Sequence, residues 1–245
     1  VAKKNETADG ISLWERLDRP ASTPRASLTP RRIAAVAIGI ADREGFGAVT
    51  MRRIATELGV APMAAYRHVA GKDELWALMV DEVSAELEPP DATEGWRETL
   101  RTHAHRTRDG MLRHPWLTQL PVPLLALTPA RMAAVERQLA SLDGLGLDAD
   151  TMMAAFRAVA SYVQGAVQSE VALAQHMKEQ GWESGDDTRR ALAPQMTYLL
   201  GTGRYPTYLR YVQGAARKDD AGWQFETGLE CVLDGVAGLI GRAGA

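Results

Sequence analysis

Residues 50–75 read TMRRIATELGVAPMAAYRHVAGKDEL, and their spacing predicts two short helices around a tight turn, with a third starting directly behind them. Thr50 has the hydroxyl to cap a helix on which Met51, Ile54, Ala55 and Leu58 recur at i, i+3, i+4 and i+7, so one face is apolar. Arg52, Arg53 and Glu57 fall on the solvated face. Gly59 just past Leu58 supplies the left-handed residue that closes a helix, which leaves Gly59, Val60 and Ala61 as the turn. Pro62 suits a first helical position, where its missing N–H costs nothing, and residues 63–69 make barely two turns before Gly71 ends them. Isolated helices below roughly 12 residues are marginal in water, so this one must be held by its neighbours while it presents Pro62, Met63, Ala65, Tyr66 and His68. A helix presented that way fits the major groove of double-stranded DNA.

Together with the upstream LTPRRIAAVAIGIADREGFGAVT, this stretch resembles the N-terminal domain of the tetracycline-repressor (TetR) family of bacterial transcriptional regulators. The likeness covers about residues 28–87: the first-helix pattern, EGFGAVTMRRIATELGV, the YRHV run and the KDEL helix start occur in order. It implies phosphate contacts for Tyr66, His68 and Lys72, with Thr50 and Arg52 as further phosphate partners. Base reading falls to Pro62, Met63 and Ala65, with Arg53 and Arg67 as candidates, the small apolar residues meeting thymine methyls. Simple packing is the alternative for Met63 and Tyr66, although Ala64 and Val69 already offer inward anchors. The family usually carries Ser or Thr where Ala61 stands, so a helix cap and one phosphate contact are missing there.

The chain has 245 residues, 46% of them hydrophobic and 24% charged, enough for a real core and more than one small domain. Its net charge of −3 hides an asymmetry: residues 1–72 carry 12 Lys and Arg against 7 Asp and Glu, while the rest carries 16 against 24. A basic third on an acidic body suits phosphate binding at one face without general stickiness, although two solvated surfaces would look the same. The longest apolar stretches are broken by charges before the ~20 residues needed to span a membrane, and VAKKNETADGISLW has no signal-peptide apolar region. A cytoplasmic protein with no membrane partner is expected. The single Cys231 excludes an internal disulfide and is read as core packing or redox sensing. No GxSxG, HExxH, P-loop, GxGxxG or Cys–His pairing is present, and the five histidines lack metal spacing; His103 and His105, two apart, diverge on a helix. Neither an enzyme, nor a cofactor, nor a metal site is expected.

Residues 1–27 read as an extended basic leader, with Pro20, Pro24, Arg16, Arg19 and Arg25. They are an arm for the adjacent minor groove or a plain tail; Trp14, in ISLWERL, could instead dock a short helical turn on the body. The helix-turn-helix domain spans 28–74. From 75 to 245 the long segments keep the 3.6-residue period, so the fold class is all-α. Helices are predicted over 75–87, stopped by Pro89-Pro90; over 96–113, stopped by His114-Pro115; and over 130–142, after a proline-rich loop. Further helices are predicted over 150–180, 188–200, 206–215 and 225–242.

This second part resembles the ligand-binding and dimerisation domain of the same family. The resemblance implies a homodimer joined through a four-helix bundle of the 150–180 and last helices, with Gly165, Ala166, Gly228, Gly235 and Gly238 permitting close approach. Two reading heads on a two-fold axis would meet a pseudo-palindromic operator with half-sites roughly 34–36 Å apart or a multiple of that. Polar residues on apolar stripes mark candidate effector contacts: His103 and Thr107 beside Trp96 and Leu100, Trp116 and Leu120 in the proline-rich connection, and Gln164 near Phe156 on the long helix. Each could equally be an ordinary satisfied core group. The expected partner is a small hydrophobic or aromatic molecule that releases a repressor from its operator. The alternative is a regulator without an effector, its large domain serving dimerisation or a protein partner.

Overall fold

The computed structural model describes residues 12–18, 28–88, 95–120 and 127–244, and every regular element among them is helical. In chain order they are α1 Leu13–Asp18, α2 Pro30–Glu44, a 3-10 turn Phe46–Ala48, α3 Met51–Leu58, α4 Pro62–Tyr66, α5 Lys72–Glu86, α6 Gly95–Arg113 and a second 3-10 turn Pro115–Gln119. Then follow α7 Pro129–Leu142, α8 Ala149–Gln180, α9 Gly185–Gly201, α10 Pro206–Gly214 and α11 Ala221–Ala243. The all-α expectation is met. Among the described residues no helix is long and apolar enough to cross a membrane, and no group of His, Cys, Asp or Glu has the arrangement of a metal site.

Caps fix the helix starts as the side chains dictate. Thr29 Oγ1 accepts from Arg32 N and Thr50 Oγ1 from Arg53 N, and Pro30 and Pro62 sit where no intrahelical donor is needed. Gly59 takes φ 69°, and Val60 N–H reaches back to Ala55 O, so α3 stops after two turns and the chain reverses into α4. α4 is shorter than expected: beyond Tyr66 the chain tightens into a turn in which His68 N–H and Val69 N–H both donate to Ala65 O. α9 starts at Gly185 rather than 188 and continues past Pro194. α11 starts four residues earlier than expected, because Asp220 caps it through Trp223 N–H.

The chain divides into two compact units, residues 1–142 and 143–245. α5 packs on both α2 and α7, and so joins the reader to the helices behind it. In the first unit Ile33, Ala37, Ile40, Ile54, Val69, Leu75 and Met79 are fully enclosed, with Trp116 and Leu120 in the same core. The leader, expected to be extended, forms α1 at its centre: Leu13 is buried, Trp14 Nε1–H donates to Leu127 O at 3.0 Å, and Arg16 pairs with Glu74 at 2.8 Å. The rest of the leader with Pro20, Pro24, Arg19 and Arg25, the Pro89-Pro90 stop, and residues 121–126 of the proline-rich loop lie outside the described residues.

In the second unit α8 and α11 run against each other, with Val159, Val163 and Val167 facing Phe225, Leu229 and Leu233 in its buried seam. Tyr162 Oη donates to Phe225 O at 2.7 Å, and a Cβ at Gly228 would collide with the Tyr162 ring and its hydroxyl, so glycine fits there. α9 and α10 bury no residue.

Candidate functional site

The two short helices α3 and α4 are set at the surface by α2, and their outward side chains are the first candidate site. Met63 is 68% exposed and Tyr66 46%, values that large apolar side chains adopt when they are kept out of a core. Ala61, Pro62 and Arg67 share that exposure, and His68 is half-buried. Ala65 does not belong with them. It is completely buried, one turn before the equally buried Val69, and these two form the inward face of the element. The expectation that Ala65 reads bases is therefore corrected: the inner anchor is Ala65, and Ala64, taken as the anchor from the sequence, is only half-buried. Ala61 caps α4 with no side-chain hydrogen bond, as its methyl dictates.

The cations around this face differ in what holds them. Arg53, a candidate base reader, bonds Glu44 at 2.8 Å and Glu57 at 2.8 Å, and Arg43 completes the cluster on Glu57 at 2.6 Å. The Arg53 guanidinium hydrogen bond holds the Glu44 carboxyl below its ordinary range, and Glu44 in turn raises Arg53. Arg53 thus braces α3 against the end of α2. Arg52, Arg67 and Lys72 are exposed and make no ion pair among the described residues. Lys72 opens α5 beside Gly71, which offers no side-chain cap, so the first amides of α5 and the ammonium occupy the same end. Thr50 Oγ1 is engaged in capping its own helix.

Behind the reader, Asp42 near the end of α2 accepts two hydrogen bonds at Oδ1, from His114 Nδ1 at 2.9 Å and from Trp116 Nε1 at 2.8 Å. A carboxylate only accepts here, so the His114 proton sits on Nδ1. Phe46 stacks on Trp116 with centroids 6.2 Å apart, and its other neighbour is Trp76 of α5 at 5.5 Å. Trp116 and Leu120 are 2% and 6% exposed within the reader's core. The reading of these two as effector contacts is corrected: their apolar surface is already covered, and the indole N–H already has its acceptor. Arg106 makes a second tie, donating from α6 to the carbonyls of Glu86, Leu87 and Glu88 at the end of α5.

The second candidate site lies where α6 packs on α7. Leu100 is fully buried, Trp96 is half-buried with the Arg97 guanidinium 5.9 Å from its ring centroid, and Thr107 Oγ1 meets His103 Nε2 at 3.3 Å. Burial pushes His103 down to about 4, and the positive charges of Arg131 and Arg137 act in the same direction. His103 is neutral at physiological pH. Arg131, which acts on His103 through its charge, is exposed at the start of α7, three residues before the buried Ala134. Phe156 and Gln164, expected in the same set, are half-buried on α8 in the second unit.

Residues 33–79 match the family described as bacterial regulatory proteins, tetR family, and residues 88–240 match the tetracyclin repressor-like C-terminal domain. The HTH-type transcriptional repressor DrrR1 of Streptomyces coeruleorubidus is 34% identical over 235 residues, which span 94% of this chain and 85% of DrrR1. Apo ActR from Streptomyces coelicolor shares the fold with a TM-score of 0.74 at 28% identity, over 90% of this chain and 100% of ActR. ActR in complex with actinorhodin gives 0.70 at 27% identity, over 86% of this chain and 96% of ActR.

Proposed function

The chain belongs to the tetR family of bacterial regulatory proteins, whose members bind DNA and are not enzymes, and from that premise we propose that it is a ligand-responsive repressor. The observation that carries the reading is the outward face of α4: Pro62, Met63, Tyr66 and Arg67 stand free of the core while Ala65 and Val69 hold the element down. Met63 and Pro62 meet base edges, and Tyr66, His68, Arg52 and Lys72 meet phosphates on either side. Arg67 remains a candidate base reader, and Arg53 acts through its brace.

The repressor works as a homodimer on a pseudo-palindromic operator. Open surface on α8 to α11 supports this: Leu173, Tyr198 and Tyr208 are 50%, 75% and 52% exposed, and Gly165 and Gly235 have no neighbouring atom within 4 Å of a built Cβ. Exposed apolar area of that extent is what a second subunit covers.

A hydrophobic, partly aromatic effector binds along α6 at Trp96, Leu100, His103 and Thr107 and favours the geometry in which the heads leave DNA. ActR, which binds actinorhodin, is the similar protein that makes this class of regulation the natural one to test. Coupling of about 1–3 kcal/mol would weaken operator binding roughly 5–150-fold. Its route is α5, which packs on both α2 and α7, together with the Asp42 and Arg106 ties.

The deciding experiment titrates labelled intergenic DNA from beside the gene, against scrambled DNA, at about 150 mM salt. Binding to the intergenic fragment alone, followed by release on adding actinorhodin or another aromatic compound, is expected. Equal weak binding to both DNAs would sink operator-specific repression.

A further inference from the structure

α1, Leu13–Asp18, has six residues, far below the length at which a helix holds itself together in water, so its place is set by what it is tied to. Ser12 Oγ accepts from Glu15 N–H at its start, Leu13 is buried in the reader's core, and Trp14 and Leu17 pack against that core. Positions two apart on a helix do not share a face, so Trp14 and Arg16 leave α1 in different directions. Trp14 Nε1–H donates to Leu127 O at 3.0 Å, directly before the buried Thr128. Arg16 Nη2 donates to Glu74 Oε1 at 2.8 Å and to Oε2 at 2.9 Å.

Both anchor points are helix starts. Glu74 is the third residue of α5, and its Oε2 also accepts from Ala70 N–H at 2.8 Å, which ties down the link from α4 to α5 where Gly71 offers no side-chain cap. His68 and Lys72 stand on either side of Ala70. At the other anchor, Thr128 Oγ1 accepts from Arg131 N–H at 3.4 Å and Asp81 Oδ1 from Ala130 N–H at 2.8 Å, so the first turn of α7 is held as well. Asp81 lies two turns beyond Glu74 on the same face of α5. α1 and α5 are therefore two separate ties between the same two helix starts, and together they close a ring.

We propose that Arg16 and Glu74 are positioning residues for DNA reading: α1 is a strut that fixes the α4–α5 junction, with its His68 and Lys72, against the first turn of α7. The proposal rests on the reading of His68 and Lys72 as phosphate contacts and adds the leader to the elements that place them. Arg16 acts through Glu74 and touches no phosphate, because its guanidinium lies on a carboxylate whose other donor is the reader's own backbone. A displacement at the start of α7 reaches the junction through α1 as well as through α5.

Peptide-resolved hydrogen exchange on the full chain needs no DNA and reads both anchors at once. Arg16→Met and Trp14→Phe each cut one anchor, and each is expected to speed exchange about two- to fivefold in residues 70–75 and in residues 128–134 alike. Loosening confined to the severed end, or none at all, would overturn the strut. On intergenic DNA from beside the gene, Arg16→Met should weaken binding about two- to fivefold per head with an unchanged slope of log K against log salt, and Arg16→Lys should recover part of the loss. Glu74→Gln should weaken binding too, although it removes a negative charge. An Arg16 that touched phosphate would give the opposite pattern: a slope smaller by about 0.9 per head for Arg16→Met, and tighter binding for Glu74→Gln, which frees the guanidinium. That pattern, or unchanged affinity in both variants, overturns the positioning role. Lys72→Ala checks the reading beneath it: an unchanged slope there removes the Lys72 phosphate contact and leaves the exchange result to decide the strut by itself.

Discussion

Asp42 shows how one side chain can link a reading head to the helix behind it. Its carboxylate accepts from two donors separated from it by 72 and 74 residues, His114 Nδ1–H and Trp116 Nε1–H, both on nearly enclosed side chains. Removing it in Asp42→Ala strands both donors, and unsatisfied buried donors cost ~1–3 kcal/mol each, so a loss of about 2–6 kcal/mol is expected in urea unfolding. Asp42→Asn keeps one acceptor oxygen and should lose about half as much. If both variants unfold like the parent, the link contributes nothing. His103 supplies a second test, through pH. Burial holds its folded pKa at about 4, below the ordinary imidazole value of 6.5, so between these values the unfolded chain binds the proton that the folded one refuses. Stability therefore falls as pH drops from 6.5 towards 4, by at most of order 3 kcal/mol from this group. Carboxylates titrate in the lower part of the same window, so the quantity to measure is the difference between the parent and His103→Gln at pH 7 and pH 5. The gap should narrow at pH 5 as the parent weakens, and a gap independent of pH would mean that His103 titrates normally.

At the scale of the element, α4 has five residues and divides them cleanly between two tasks. Ala65→Leu puts three extra carbons into a site with no free surface, and overpacking of this kind costs ~1–3 kcal/mol, visible as a lower unfolding midpoint. Met63→Ala, at a 68% exposed position, should leave the midpoint unchanged while weakening operator binding. Stability and DNA affinity would then separate at positions two residues apart; a fall in both for Met63→Ala would return Met63 to the core. The same element shows what the sequence could and could not reveal. Thr50, Gly59 and Pro62 are local devices, since each acts on backbone within four residues of itself, and the helix, turn and helix start they specify are found where expected. Which alanine of Ala64 and Ala65 faces inward depends on how a two-turn element is tilted by α2 and α3, and identical methyl groups carry no mark of it. Trp116 and Leu120 failed for a related reason: an aromatic and an aliphatic side chain next to prolines suit a pocket or a core equally well, and only the distant Asp42 decides between them.

At the scale of the whole molecule, the charge of residues 1–72, net +5 against −8 for the remainder, sets where a polyanion is attracted, but the ion pairs decide how much of that charge is available. Arg16, Arg31, Arg43 and Arg53 are each paired with a carboxylate, whereas Arg52, Arg67 and Lys72 make no ion pair among the described residues. Paired cations have little counterion to release on meeting phosphate, so the salt dependence of operator binding should follow the free ones. Each phosphate neutralised contributes about −0.9 to the slope of log K against log salt on duplex DNA. Three contacts per subunit in the proposed dimer then give a slope of about −5, where a single subunit would give about −3. Arg52→Ala sharpens the comparison, because it removes one phosphate contact from every subunit bound. The slope should fall in magnitude by about 2 if two heads engage the operator together, and by about 1 if one head binds alone. Arg53→Ala is the contrasting case: its charge is already balanced by Glu44 and Glu57, so it should lower stability more than it changes the slope. Measuring the slope for all three proteins on one operator fragment counts the reading heads through their counterions, and a decrement near 1 for Arg52→Ala would contradict the dimeric reading even if the free protein sediments as a dimer.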